Sequence, residues 1–254
     1  MKGPMRRRID SPFIAVLLFA VHPLHTEVVA NIKSRDEILA LILLLLGTLS
    51  ALKYSEEGKT GNLLSLAGYF FLAMLSKESS ITWIAVIPLA VYFFRNKAAS
   101  APALLLATVI PSAMFLMIRH KILGASVSEI PVMDNYMSGI KDVLTQRTSA
   151  IAILGLYFYK FFVPYPLISD GSYHTFPDYP FSDWHFLLPF AAFVGMGVYA
   201  IRTFRSRDPL SFAIIFFFVT VSIVSNVVIM IGTNYAERLM FVPSIGICLA
   251  LALL

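Results

Sequence analysis

The amino-acid pattern predicts an all-α membrane protein, a polytopic helical bundle of about eight to nine membrane segments. Three observations carry this. Apolar residues make up 58% of the 254 and charged residues 14%, with a mean hydropathy of +0.77. Soluble domains average about 45–50% apolar and about 25% charged. The apolar excess is arranged in charge-free blocks, and the basic residues stand in short stretches between them. That placement reads the net charge of +5 as topology control and argues against nucleic-acid binding.

The charge-free windows run, in order, over residues 11–21, 38–52, 60–76, 79–94, 98–118, 148–169 (broken by Lys160), 186–201, 209–236 and 239–254. Several are shorter than the roughly 17–25 residues of a straight span, and terminal Lys and Arg side chains can snorkel to lengthen them. Irregular backbone cannot face lipid, so each window is expected to be helical. Helix-start chemistry marks three entries. Ser34 and Glu37 have capping-box spacing before "ILALILLLL". Asp208 and Pro209 read as an N-cap and first helical residue. Asn234 and Glu237 have the spacing of a box before "RLMFVPSIGICLALALL".

Lysine and arginine set the orientation. Arg6, Arg7 and Arg8 place the N-terminus inside, as do Lys53–Lys59, Arg95/Lys97 and Arg202/Arg205/Arg207 for their loops. "HPLHTEVVANIKSRDE", "SKESS", "ISDGSYHTFPDYPFSDW" and Glu237/Arg238 then lie outside. Counting from the two ends puts residues 119–147 and 165–185 on the same side, so 148–164 reads as re-entrant or surface-tilted.

Other classes leave no trace. Cys248 is the single cysteine and sits in an apolar run, so no intrachain disulfide forms. "MKGPMRRRID" is basic, but the run after it lacks a small-residue cleavage site. There is no solenoid repeat, Gly-rich phosphate loop, CxxC pair or GxSxG elbow.

On this topology four polar clusters share the outer side: His22/His25/Glu27/Arg35/Asp36, Lys77/Glu78, Asp170/Tyr173/His174/Asp178/Asp183, and Glu237/Arg238. Charges beside a bundle are costly unless paired or solvated, which predicts a water-filled cavity able to take a polar or phosphorylated substrate. Plainer readings stand beside this one. His22 and His25, three apart, could hold a metal or make interfacial hydrogen bonds. Pro23 opens a short helix after His22. Glu27 faces either cavity or loop, Glu37 and Glu237 read as caps, and Lys77/Glu78 as a solvated pair. Arg238 in a first helical turn opposes the helix dipole, which favours a role at phosphate. The aromatics of 173–184 form an interfacial belt or a sugar platform.

Taken together, these segments resemble the transmembrane and tetratricopeptide-repeat O-mannosyltransferases and their bacterial relatives. "LLFAVHPLHTEVVANIKSRDEILA" is similar to the family's His-Pro-x-His-Thr-Glu segment with its following Arg-acid pair. "AMLSKESSIT", "PYPLISDGSY" with a later Asp183-Trp184, and "NYAERLMFVPSIGICLAL" resemble three further segments, in family order and over nearly the whole chain.

The resemblance implies a partial glycosyltransferase-C module. Its expected reaction moves a sugar from a polyprenyl-phosphate donor to a protein or glycan acceptor on the outer or lumenal face, in a bacterial inner membrane. A divalent metal ion at His22 and His25 is the implied cofactor. Arg238, with Arg35 or Lys77, is implied at the lipid phosphate. His22, His25, Asp36, Tyr173 and Glu237 are implied in substrate binding. Glu27, Glu78 and Asp170 are the candidate catalytic carboxylates.

The match has gaps. The family's paired-acid loop has no counterpart before "SPFIAVLLFA", Asp10 stands beside the arginines, and Gly171 follows Asp170 where the family carries an aromatic. One transmembrane domain over 1–254 is therefore expected, as part of a longer enzyme lacking an N-terminal span with its loop and the C-terminal repeats. A non-catalytic membrane component that binds lipid-linked sugar or a partner subunit is the alternative. Transport is disfavoured, because the charges gather at one face and no half-repeat is evident.

Overall fold

The computed structural model describes residues 5–95, 97, 100–124, 130–171 and 175–254, with side chains from residue 10 onward. Among the described residues the protein is all-helical. Its α-helices are α1 (Met5–Val21), α2 (Thr26–Ala30), α3 (Arg35–Glu57), α4 (Thr60–Ser76), α5 (Trp83–Arg95), α6 (Ala101–Leu123), α7 (Val143–Phe162), α8 (Trp184–Thr203), α9 (Pro209–Val221) and α10 (Ser244–Leu253). Short 3-10 turns at Pro23–His25, Ile32–Ser34, Glu78–Thr82, Tyr136–Gly139 and Glu237–Met240 join them.

The chain divides into two compact units, residues up to Ala30 with those from 130 onward, and residues 31–124. In the first unit α10 packs on α1 and α9, and α8 packs on α7 and α9. Its core gathers Leu24, Met137, Tyr157, Phe217, Tyr235 and Met240, all buried. Two glycines permit close approach. A Cβ on Gly246 would stand 2.7 Å from the Ala213 carbonyl oxygen, and one on Gly155 would stand 2.4 Å from Pro189 Cγ. In the second unit α4 packs between α3 and α6, and α5 touches both α3 and α6. Gly58, at φ +69°, ends α3 in the left-handed conformation that glycine adopts without Cβ strain.

The expected eight or nine spans are corrected to three among the described residues: Ile32–Glu57, Ala101–Leu123 and Trp184–Thr203. A fourth counts if Asp10–Val21 and Pro23–Ala30, bent by 51°, form one broken span. Helix length makes the difference. At about 1.5 Å per residue, roughly 20 residues are needed to cross about 30 Å of hydrocarbon. The 60–76 window is a helix of 17 residues, and α9 ends after 13 at Val221, with turns from Ser222 onward in which Asn226 takes φ +60°. The 239–254 window yields only the 10-residue α10. Conversely, α6 runs past Arg119, His120 and Lys121 to Leu123, and α7 contains Arg147 and Lys160.

Two caps are corrected as well. Ser34 precedes α3 without a side-chain cap bond; instead Asp36 Oδ1 accepts the Glu37 N–H at 2.8 Å. Glu37 is drawn to Lys77 at 3.0 Å, away from the position a capping box needs. The Glu237–Met240 turn also lacks a side-chain cap, since Glu237 bonds Ile168. Asp208 does cap α9 as expected, accepting the Leu210 N–H at 3.1 Å, with Pro209 first in the helix.

Candidate functional site

In the first unit, the His22–Glu27 segment meets the Tyr235–Arg238 segment. His22 is the N-cap of the Pro23–His25 turn, as the proline after it suggested. Its Nδ1 accepts the Leu24 N–H at 3.2 Å, which leaves Nε2–H to donate to the Phe161 carbonyl at 2.8 Å. The ring stacks on Phe161 with centroids 4.1 Å apart. His25 is buried; its Nδ1 stands 2.7 Å from the Phe19 carbonyl and its Nε2 2.9 Å from Ser244 Oγ.

Both rings thus spend their nitrogens on protein partners. Among the described residues no group of three or more His, Cys, Asp and Glu side chains gathers as a metal cage. The pair as it stands does not fit a metal.

Glu27 turns inward rather than toward a loop. Its Oε2 accepts the Arg238 backbone N–H at 2.8 Å and its Oε1 accepts Nη1–H of the same residue at 2.6 Å. The Glu27 side chain is 5% exposed and that of Arg238 22%. Arg238 sits in a four-residue 3-10 turn, so the helix-dipole argument of the sequence does not apply. Glu237 is buried, and its Oε1 accepts the Ile168 N–H at 2.5 Å. Burial raises its pKa, and Glu27 adds to the rise, against the Ile168 bond and Lys160.

Two residues prepare this place from α7. Tyr157 takes the Ala236 N–H at 2.6 Å and donates to the Ala236 carbonyl at 3.1 Å. Its ring stacks on Tyr235 at 4.4 Å. Lys160, buried in the last turn, donates to the carbonyls of Tyr165 at 3.0 Å and Pro166 at 2.7 Å. The Gly171 N–H closes the loop onto the Tyr235 carbonyl at 2.9 Å, beside exposed Asp170. Tyr173 and His174 lie outside the described residues. Asp183 caps α8, accepting from the His185 N–H and Nδ1 at 2.8 Å each.

In the second unit, Lys77 Nζ bridges Asp36 Oδ2 at 2.9 Å and Glu37 Oε1 at 3.0 Å. Burial opposes the charged form of Lys77, yet the two carboxylates outweigh it and raise its pKa. Arg35 is exposed, and Glu78 pairs with Arg119 at 2.9 Å across exposed surface.

Sequence reasoning missed Tyr157, Ser244 and the binding role of Lys160. Only Lys160 left a signal, as a charge interrupting an apolar window; a tyrosine among phenylalanines has none.

No family model matches the chain, and no solved structure matches it. Curated relatives do. Mouse protein O-mannosyl-transferase TMTC3 is 26% identical over 274 aligned residues, covering 95% of this chain and 30% of that protein. Human protein O-mannosyl-transferase TMTC4 is 27% identical over 275, covering 94% and 37%. Over most of its length the chain is thus similar, at low identity, to TMTC protein O-mannosyl-transferases. Mouse TMTC1 reaches 44% identity over 80 residues, 28% of this chain and 8% of that protein. The chain spans 30% of mouse TMTC3 and 37% of human TMTC4 by length, and both are animal proteins. Its apolar helices make the chain a membrane protein.

Proposed function

We propose that this chain forms part of a glycosyltransferase-C enzyme that moves a mannosyl group from a polyprenyl-phosphate donor to a protein hydroxyl on the non-cytoplasmic face. The observation that carries the reading is the Glu27–Arg238 pair. It joins the His22–Glu27 segment to the Glu237–Arg238 segment, 211 residues away, beside the loop that ends at Asp170.

In the proposed step the acceptor oxygen attacks the anomeric carbon, the bond from that carbon to the phosphate oxygen breaks, and polyprenyl phosphate leaves with the electron pair. The acceptor proton passes to a carboxylate base. Among the candidates, Glu27 is committed to Arg238 and Glu78 pairs with Arg119. Asp170, exposed on a backbone-tied loop, is the base we assign.

A guanidinium carries five N–H donors, so the single Nη1 bond to Glu27 leaves Arg238 others for the departing phosphate. His22 and His25 shape the turn that places Glu27. Lys77 is neutralised by Asp36 and Glu37 and is not assigned to the phosphate. The nitrogens of His22 and His25 are engaged by the Phe161 and Phe19 carbonyls and by Ser244, so neither histidine is assigned a metal.

The test is mannose transfer from polyprenyl-phosphate mannose to a Ser/Thr peptide by the full chain in nanodiscs. R238A and D170N are each expected to lower turnover at least about a hundredfold. Transfer unchanged in D170N removes Asp170 as base. Donor binding without any transfer by the unsubstituted chain favours the non-catalytic component instead.

A further inference from the structure

Two buried ionisable residues, Lys160 and Glu237, have no chemical part in the reaction proposed above, yet both take hold of the same loop. Between α7 and α8, residues 163–171 have no regular secondary structure, and this stretch contains Pro164 and Pro166. Within it the Tyr165 N–H donates to the Val163 carbonyl at 2.8 Å, and further backbone groups turned into the protein need partners from outside the loop. Lys160, 7% exposed, supplies donors to the carbonyls of Tyr165 and Pro166. Glu237, 2% exposed, supplies an acceptor for the Ile168 N–H from a turn 69 residues further on. The Tyr235 carbonyl takes the Gly171 N–H.

A charge at so buried a position is costly unless it is bonded, so an apolar residue would be the cheaper filler at either site. Lys160 by itself could be read as a helix-end cap. Glu237 shows that more is involved: it grips the Ile168 N–H, two residues past Pro166, and is the chain neighbour of Arg238, which Glu27 holds in turn.

We propose that Lys160 and Glu237 are positioning residues, a two-sided clamp on the 165–171 loop that sets where Asp170 stands relative to Arg238. On this view Glu237 does not touch substrate. The clamp is a geometric statement about the loop; its catalytic consequence rests on the function proposed above. A carboxylate or an amide oxygen at residue 237 can accept the Ile168 N–H, whereas a methyl cannot, and a methionine at residue 160 fills the space without donors.

The experiment is hydrogen–deuterium exchange of the full chain in nanodiscs, read by mass spectrometry over 165–171, with E237A, E237Q and K160M beside the unsubstituted protein. E237A and K160M are expected to exchange the loop about five- to tenfold faster, while E237Q stays near the unsubstituted rate and α9 is unchanged. In the transfer assay, E237Q is expected to retain most turnover and E237A to lose it.

Loop exchange unchanged in E237A overturns the clamp. Turnover lost in E237Q with the loop still protected also overturns it, because the carboxylate would then act on substrate. If the unsubstituted chain transfers no sugar, the function proposed above fails, and the exchange data still decide the clamp. If K160M does not fold, the contrast between E237A and E237Q carries the test.

Discussion

Glu27 holds Arg238 twice, once through the backbone N–H at 2.8 Å and once through Nη1 at 2.6 Å. A carboxylate that binds both the main chain and the side chain of one residue fixes where its guanidinium points. It also ties α2 to the Glu237–Met240 turn, 211 residues on.

Removing Glu27 leaves a part-buried guanidinium without its anion. E27A is expected to destabilise the protein by about 3 kcal/mol, the low end for a broken buried pair, because the Arg238 side chain keeps 22% exposure. A double-mutant cycle with R238A, read by chemical unfolding in detergent, should return a coupling of about 1–3 kcal/mol. Additive effects would mean that the pair contributes no more than two separate side chains.

The close approach of α9 and α10 depends on Gly246. A Cβ there would meet the Ala213 carbonyl oxygen at 2.7 Å and the Phe217 backbone nitrogen at 3.0 Å. Backbone atoms cannot rotate away as a side chain can, so G246A is expected to cost about 1–3 kcal/mol. Thermal unfolding should show a lower Tm; an unchanged Tm would refute the tight contact.

Asn135 organises the turns that replace the second half of the expected 209–236 span. Its Nδ2 donates to Asn226 Oδ1 at 3.0 Å and to the Ile231 carbonyl at 2.8 Å, and its Oδ1 caps the Met137 N–H. N135A is expected to cost about 2–3 kcal/mol by stranding buried partners. Limited proteolysis should then cut within 226–233 sooner than in the unsubstituted chain. Equal cleavage rates would assign the order of these turns to Arg147, which donates to the Asn226 and Val227 carbonyls.

The Lys77 cluster makes a pH prediction. Its pKa is raised above the ordinary 10.5 in the folded protein, the carboxylates of Glu37 and Asp36 outweighing burial. A raised cationic pKa means the stabilisation is fully present below 10.5 and is lost as pH climbs through the folded value. The unfolding midpoint of the unsubstituted chain should therefore fall above about pH 10.5 more steeply than that of K77M. K77M should also start lower at about pH 8, with Glu37 left buried beside Asp36. Parallel pH curves for the two proteins would contradict this.

Much was legible because it depends on residues close in sequence. The helix over 60–76 follows its charge-free window to the residue, Pro23 opens a turn after His22, and Asp208-Pro209 begins α9. Each reflects a local rule of capping or of charge. The number of spans was not legible, because a window shows where apolar residues lie but not where the helix inside it stops. The helical run of 209–236 ends at Val221, and turns follow in which Asn226 takes φ +60° and accepts one bond from Asn135, without any break in apolar composition. The capping reading of Glu37 and Glu237 failed for a related reason: the spacing was right, but Lys77 and the Ile168 N–H offered better partners from elsewhere in the chain.

By itself, the sequence determined that this is a helical membrane protein whose polar residues cluster in a few motifs, since composition and local spacing set hydropathy, helix starts and charge placement. Only the tertiary structure decided what those polar residues do. It turned Glu27 onto Arg238, bound Glu237 and Lys160 to the 165–171 loop, engaged both histidines, and set Lys77 between two acids. A charge buried in an apolar fold takes whichever partner the packing brings within about 3 Å, and that partner can lie about two hundred residues away.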